Sequence, residues 1–251
     1  MCNLTGIAFG ERVLQPADVA GREVLEVGAF DVNGSIRPFV ESLQPGRYVG
    51  VDIAAGPGVD EVVDASELIE RFGVDSFDIV ITTEMLEHVR PWRTVIHNLK
   101  GVLRPGGVLL VTTRSIGFPY HGYPFDFWRY EPEDMRAIFA DFEIDTIERD
   151  SDAPGIFLVA RKPMSYREKR APVELFSIVT GRRQARISTF ELAWFRMTRS
   201  LRSFAQTAPK SARRGLHRAS RVVRRRVVSP IWFHLPPSGR SAVKRALGRG
   251  G

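Results

Sequence analysis

The sequence predicts an α/β fold with a doubly wound, mostly parallel sheet, and three observations support this. Short apolar runs alternate with amphipathic stretches through the first part of the chain, which is the pattern of βαβ units. Residues 108–111 form an unbroken Val-Leu-Leu-Val run, as expected of a strand buried on both faces. Residues 142–149 and 155–160 are joined by a short Ser-Asp-Ala-Pro loop that cannot hold a parallel crossover. The sheet should therefore end in an antiparallel hairpin.

The remaining elements follow from the same periodicities and from their flanking turn residues. Parallel strands are expected at residues 23–27, 48–52, 60–63, 77–82 and 108–113. Helices are expected at residues 35–43, 65–71, 91–103 and 132–140.

Charge divides the chain near Pro163. Residues 1–163 hold 15 Lys and Arg against 26 Asp and Glu, whereas residues 164–251 hold 21 against 3. We therefore expect an acidic domain over 1–163 and a basic, partly helical or disordered extension over 164–251. The lone Cys2 excludes an intrachain disulfide framework and a cysteine-rich metal cluster, and no metal site is expected. The start of the chain has no secretory pattern and no run is long enough for a membrane span, so a cytoplasmic protein is expected.

Two sequence strings at the predicted sheet edge indicate the fold family, as the terminal hairpin also does. Residues 77–89 read FDIVITTEMLEHV, and residues 103–109 read LRPGGVL, a glycine turn leading into a buried strand. Together with the hairpin, they resemble the class I S-adenosylmethionine-dependent methyltransferases over about residues 24–161. The resemblance implies methyl transfer with S-adenosyl-L-methionine as cofactor, and it places Glu84 in the loop beneath that cofactor.

The loop after the first strand, residues 26–35, fits the same cofactor. Ligands bind where a strand passes into a helix at the carboxyl edge of such a sheet, and Gly28 would let the backbone approach one. Ala29, Phe30 and Asp31 replace the second glycine of the dinucleotide fingerprint, which disfavours a diphosphate. Glu26 would repel phosphate and suit a cationic amino group. An ordinary glycine-containing turn is the alternative.

Further cofactor contacts are expected from the next two strand ends. Asp52, followed by Ile53, lies where a carboxylate accepts hydrogen bonds from both ribose hydroxyls. By resemblance, Asp64 would accept from the adenine amino group, with the Ala65 N–H facing the ring. Both aspartates could instead cap a turn or helix.

The acceptor is expected to lie beside the loop that follows the fifth strand. Residues 114–130 are rich in aromatic side chains and carry His121 and Asp126, the favoured polar contacts for the acceptor. His88 is a further catalytic candidate, although it could simply order its loop. Phe125, Trp128 and Tyr130 could wall the acceptor or cover the sheet edge. The YPFDFWRY string resembles a bacterial subgroup associated with glycans and the cell surface, which suggests a saccharide or small-metabolite hydroxyl.

The basic extension has several readings. Residues 187–204 space Phe190, Trp194, Met197 and Leu201 as an amphipathic helix, which could lie on the inner face of an anionic membrane. Arg221 to Arg226 could instead hold nucleic-acid phosphate, a less favoured interpretation because no RNA-binding module is recognisable. A partly disordered, solvated tail is the third interpretation of the basic extension. The rival functions are an RNA methyltransferase and a cofactor-binding protein without turnover.

Overall fold

A computed structural model describes residues 4–122, 125–169 and 171–207, with side chains up to residue 200. The strands are β1 Glu23–Val27, β2 Arg47–Asp52, β3 Glu61–Val62, β4 Phe77–Thr83, β5 Leu103–Arg114, β6 Trp128–Arg129, β7 Glu143–Arg149, β8 Gly155–Arg161, β9 Leu175–Ser177 and β10 Arg182–Gln184. The helices are α1 Leu4–Val13, α2 Pro16–Val19, α3 Arg37–Ser42, α4 Leu68–Phe72, α5 Trp92–Val102, α6 Pro132–Ile138 and α7 Thr189–Thr207.

The main sheet has seven strands in the order β3-β2-β1-β4-β5-β8-β7. The first five are parallel, whereas β8 runs antiparallel to both β5 and β7. The predicted sheet and its terminal hairpin are therefore confirmed. Because the order reverses beside β1, the carboxyl ends of β1 and β4 open onto a crevice at the switch point.

Two helices begin later than expected because a turn precedes each one. The Ser35 hydroxyl accepts a hydrogen bond from the Arg37 amide at 3.0 Å, so α3 begins at Arg37. Asp64 accepts from the Ser66 amide at 2.8 Å, and α4 begins only at Leu68. Short polar side chains at these positions compete with the first helical turn for the backbone N–H groups.

One face of the sheet is covered by α1, a helix that the sequence analysis missed. Its Phe9 packs against Phe157 of β8 with ring centroids 5.1 Å apart, and both side chains belong to the buried core. Gly10 permits the close approach, because a Cβ there would lie 2.2 Å from the Ile36 side chain. The two glycines of α1 lower helix propensity, so packing stabilises this helix more than its sequence does.

A second, three-stranded sheet has the order β10-β9-β6. It joins the end of the aromatic loop to residues beyond Pro163, and one compact unit continues to Arg186. The unit boundary thus falls later than the change in charge. A bidentate pair between Arg183 and Asp134, at 2.6 and 3.0 Å, ties β10 to α6.

The next unit begins at Ile187 and contains α7. Phe190 is 77% exposed, Trp194 44% and Met197 46%. Within the described residues, no helix has the length and apolar character needed to cross a membrane. Arg221 to Arg226, and Leu201 as a side chain, lie outside what the structure describes.

Candidate active site

Two carboxylates lie at neighbouring strand ends of the crevice. Glu26 on β1 is only 2% exposed, and its Oε2 accepts a 2.6 Å hydrogen bond from the Tyr48 hydroxyl. Burial raises the pKa of Glu26 to about 7. Asp52 at the end of β2 is half-buried and accepts long bonds of 3.3 Å from the amides of Phe30 and Ala54. The buried Glu26 carboxylate favours a nearby cation, such as an amino group. The more accessible Asp52 carboxylate suits hydroxyls, such as those of a ribose.

The backbone donors of the loop after β1 are largely used within the protein. The amides of Gly28 and Ala29 both donate to the Val51 carbonyl, and the amide of Gly34 donates to Asp31. Gly28 has φ 86°, and a Cβ there would lie 2.7 Å from the Met85 Cβ. The glycine therefore permits close packing of this loop against the β4 loop, and its expected approach to the cofactor stays a prediction.

The other expected cofactor residues lie in the turns that follow β1, β2 and β3. Ile53 is 60% exposed, and Asp64 is also exposed. Asp64 Oδ1 accepts from both the amide and the hydroxyl of Ser66, which is the turn-capping alternative, and Ala65 is buried. Asp31 is occupied in bonding the amide of Gly34.

Glu84 follows β4 in an unusual backbone conformation. Its φ of 53° is in the left-handed region, and the residue is 2% exposed. Its carboxylate pairs with Arg114 at the end of β5, which also contacts Asp150 at 3.3 Å. Burial and the nearby Glu87 raise the pKa of Glu84, against the opposing effect of Arg114. Strained backbone of this kind is concentrated at functional sites.

The turn after Glu84 holds Glu87 and His88, and the loop after β5 places His121 beside them. We call these three side chains the Glu87 cluster. Glu87 Oε1 lies 3.5 Å from His121 Nε2 and 3.9 Å from His88 Nε2. The two imidazole rings meet edge to face with centroids 4.7 Å apart. The structure thus brings together His88 and His121, which are 33 positions apart in the sequence, around a carboxylate that is fully buried.

Behind this cluster, Asp126 and Arg129 form a buried ion pair. Arg129 donates to both oxygens of Asp126, at 2.5 and 2.7 Å, and Asp126 accepts a 3.0 Å bond from the ring of His121. Burial alone would lower the pKa of His121, but Asp126 and Glu87 outweigh it and raise that pKa to about 9. Asp126 is 1% exposed, so it orients His121 from behind. We expected it to contact the acceptor directly.

The aromatic residues of the loop divide into two groups. Trp128 and Tyr130 are fully buried and hydrogen-bond to the carbonyls of Val89 and Leu86, at 3.0 and 3.3 Å, so they cover the sheet edge. Phe118 packs edge to face on His121 at 4.8 Å, and Phe125 is half-buried. The Phe118 ring thus adjoins the Glu87 cluster, whereas Phe125 contacts it through its backbone carbonyl, which faces His88 Nδ1. Residues 123 and 124 lie outside the described residues.

Sequence reasoning missed Glu87, Arg114 and Arg129 as site residues. A signal for Glu87 was present, since two acidic residues spaced by three follow directly after an apolar strand that ends at the sheet edge. Arg114 and Arg129 depend on long-range pairing, which no local pattern indicates.

Comparisons with known proteins agree with this architecture. A model of the family described as "Methyltransferase domain" matches residues 8–149, more than half of the chain. A comparison with curated proteins found no match.

Solved structures with this fold cover about two thirds of the chain. The Burkholderia thailandensis 1,6-didemethyltoxoflavin-N1-methyltransferase, bound to 1,6-didemethyltoxoflavin and S-adenosylhomocysteine, is 20% identical (TM-score 0.51; 63% of this chain and 78% of that chain covered). A complex of the Haloferax volcanii Trm112 methyltransferase activator with a methyltransferase is 16% identical (TM-score 0.51; 65% and 91%). The [4+2]-cyclase SpnF is 18% identical (TM-score 0.50; 64% and 80%). At these identities the likeness concerns the fold alone, so it is the family model, matching residues 8–149, that shows this chain to belong to the methyltransferase-domain family.

Proposed function

We propose that this chain transfers a methyl group from S-adenosyl-L-methionine to an oxygen of a saccharide or small metabolite. The observation that carries the proposal is the pair Glu26 and Asp52 at adjacent strand ends, next to an imidazole cluster with aromatic walls. When bound, S-adenosyl-L-methionine supplies an electrophilic methyl group on sulfur. Transfer then depends mainly on holding the acceptor atom in line at about 3 Å.

The cofactor side of the crevice is assigned to carboxylates. Glu26 would bind the cationic amino group, and Asp52 would accept hydrogen bonds from the ribose hydroxyls in place of its long bonds to backbone amides. The further proposed contacts or neighbours of the cofactor are Gly28, Asp31, Ile53, Asp64, Ala65 and Glu84. The donors of the β1 loop contribute little, because the amides of Gly28, Ala29 and Gly34 are already bonded within the protein.

The acceptor side is assigned to the Glu87 cluster. His121 is 25% exposed in its side chain and His88 11%, so both reach solvent while Glu87 stays buried. Asp126 holds the His121 ring, and Phe118 packs edge to face on the same ring, so an apolar side chain lies beside the polar groups, as in sites for sugars or ring systems. A hydroxyl acceptor suits this arrangement, because its oxygen must be oriented and its proton received. His121, whose pKa is about 9, would donate a hydrogen bond to that oxygen, and His88 Nε2, whose ring is held through Nδ1 by the Phe125 carbonyl, would receive the proton.

The experiment that tests the cofactor assignment is calorimetric titration of the full chain with S-adenosyl-L-methionine. Asp52→Ala should weaken binding by roughly tenfold or more, since charge-assisted hydrogen bonds are lost. Asp145→Ala, which removes an exposed carboxylate on β7, is the matched control and should bind as the wild type does. Equal affinity for all three proteins would remove Asp52 from the site.

The acceptor class needs a turnover screen against glycans, small hydroxyl metabolites and total RNA in parallel. Methylation of RNA alone would favour the rival RNA methyltransferase. Tight cofactor binding with no turnover on any acceptor would favour a binding protein, and the [4+2]-cyclase with the same fold illustrates why turnover has to be measured.

We also propose that α7 attaches the protein to an anionic membrane surface at the inner face of the membrane. Phe190, Trp194 and Met197 recur at helical spacing and are exposed, which is the pattern of an interfacial helix. Full-length protein should pellet with anionic liposomes at low salt, and Phe190→Ser with Trp194→Ser should reduce this. Absence of pelleting by the wild type would end the proposal.

A further inference from the structure

The Glu87 cluster has the composition and spacing of a metal site. One ligand atom from each of Glu87, His88 and His121 lies within 4.8 Å of the other two. The separations of 3.5 and 3.9 Å from Glu87 Oε1 to the two imidazole nitrogens need only a small contraction around a shared cation.

Each of these side chains is also oriented by a partner behind it. His88 Nδ1 lies 2.5 Å from the Phe125 carbonyl, and His121 Nδ1 lies 3.0 Å from Asp126, so each Nε2 is left facing the cluster. The second oxygen of Glu87 accepts a 2.8 Å bond from the Thr113 hydroxyl. Metal-binding histidines and carboxylates are held in this way, by an outer carbonyl, carboxylate or hydroxyl.

Two of the three atoms that face the cluster are buried and have no hydrogen-bond partner within the described part of the chain. They are Glu87 Oε1 and His88 Nε2, and the Glu87 side chain is fully buried. A buried acceptor without a partner is costly and calls for a ligand that completes it. The nearby Arg114 does not supply this, because its charge is met by Glu84 and Asp150.

We propose that Glu87, His88 and His121 bind one divalent first-row transition-metal ion, whose open positions face the acceptor. Two imidazoles with one carboxylate favour such ions over magnesium or calcium, which prefer oxygen-only sites. The partly exposed rings of His121 and His88 provide the entry path. The role of the ion toward an acceptor oxygen rests on the proposed function, but the binding of the ion does not.

The test is a titration of the untagged, EDTA-dialysed full chain with Co²⁺, followed by calorimetry and visible absorption. We expect a single equivalent to bind, with the absorption of a nitrogen- and oxygen-ligated ion. His88→Ala, His121→Ala and Glu87→Gln should each weaken binding at least tenfold. Asp126→Asn keeps all three ligands and should weaken binding by roughly 10–100-fold, as expected for an outer partner.

His97→Ala is the matched control. His97 Nδ1 lies 2.8 Å from Glu168 Oε2, and this histidine is not part of the cluster. Its loss should leave the Co²⁺ titration unchanged. Circular dichroism of every variant separates loss of folding from loss of a metal ligand. Where a variant fails to fold, the wild-type titration still shows whether the chain binds Co²⁺.

Two results would overturn the proposal. One is the absence of stoichiometric Co²⁺ binding by the wild type, which would mean that a proton on His121 alone occupies the cluster. The other is wild-type-like binding by folded His88→Ala and His121→Ala. Titration of the same preparation with S-adenosyl-L-methionine in EDTA keeps the proposals apart, since cofactor binding without Co²⁺ binding contradicts only the metal site.

Discussion

Replacing Glu26 by Gln should make the protein more stable at neutral and alkaline pH while weakening its hold on the cofactor. Glu26 is almost fully buried, and burial raises its pKa from the ordinary 4.5 to about 7. Between these values the folded protein keeps a proton that the unfolded chain has lost. The free energy of unfolding therefore falls as the pH rises through this window.

The size of the effect follows from the change in pKa. A rise from 4.5 to about 7 corresponds to about 3 kcal/mol of stability lost above pH 7. Glutamine removes the ionisation and can still accept the Tyr48 hydrogen bond. We therefore expect Glu26→Gln to match the wild type near pH 4.5 and to exceed it at pH 8 by up to about 3 kcal/mol, or roughly 5–10 °C in Tm.

Binding should respond in the opposite direction. A carboxylate at Glu26 attracts the cofactor's amino group, so wild-type affinity for S-adenosyl-L-methionine should rise between pH 5.5 and 7, whereas Glu26→Gln should bind weakly at every pH in this range. Urea unfolding at several pH values and calorimetric titration measure the two effects.

The matched control is Glu23→Gln, on the same strand but in a partly exposed ion pair with Arg47. It should change stability by at most about 1 kcal/mol. A Glu26→Gln protein that is less stable than the wild type at pH 8, or that binds the cofactor as tightly, would refute the assignment of a buried, cofactor-facing carboxylate.

Three further predictions address the frame around the site. Lys100→Met should lower the free energy of unfolding by roughly 3–5 kcal/mol, measured in urea, because it leaves a buried carboxylate without its cation. In the wild type the lysine lies 2.6 Å from that carboxylate, which belongs to Asp141. A decrease below about 1 kcal/mol would contradict this. A chain ending at Arg186 should unfold cooperatively and bind the cofactor, whereas one ending at Pro163 loses β9 and β10 and should melt earlier; equal melting temperatures would show that the second sheet adds no stability. His121→Ala should lower turnover by roughly 10²–10⁴-fold with cofactor affinity nearly unchanged, and a parallel loss of both would indicate a structural role.

The strands of the main sheet were predictable because each is buried between layers. Burial on both faces demands continuous apolar runs such as Ile79–Ile81 and Val108–Val111, and those runs are visible without any knowledge of pairing. The positions of Glu26 and Asp52 near the carboxyl ends of β1 and β2 were predictable for a related reason, and their roles toward the cofactor stay predictions. Strand ends at a topological switch point bind ligands whatever the sequence between them.

Other features depend on contacts between distant parts of the chain. The segment Leu175–Ser177 becomes a strand because Trp128–Arg129 and Arg182–Gln184 pair with it on either side, and it is too short to indicate a strand alone. The catalytic prediction for Asp126 was incomplete for the same reason. Its neighbour Arg129, three positions along the chain, turns the carboxylate inward, and no periodicity indicates whether such a pair faces solvent or the interior.

The small sheet has a consequence for redesigning acceptor preference. The loop that we propose to wall the acceptor leads into β6. That strand pairs with β9, which comes more than 40 positions later and outside the region that the family model matches. A loop transplanted from another methyltransferase would arrive without the strand that anchors its exit. Residues 115–130 and 171–186 should therefore be exchanged together. Chimeras that carry both segments should keep the register between β6 and β9, whereas chimeras that carry only one should lose it.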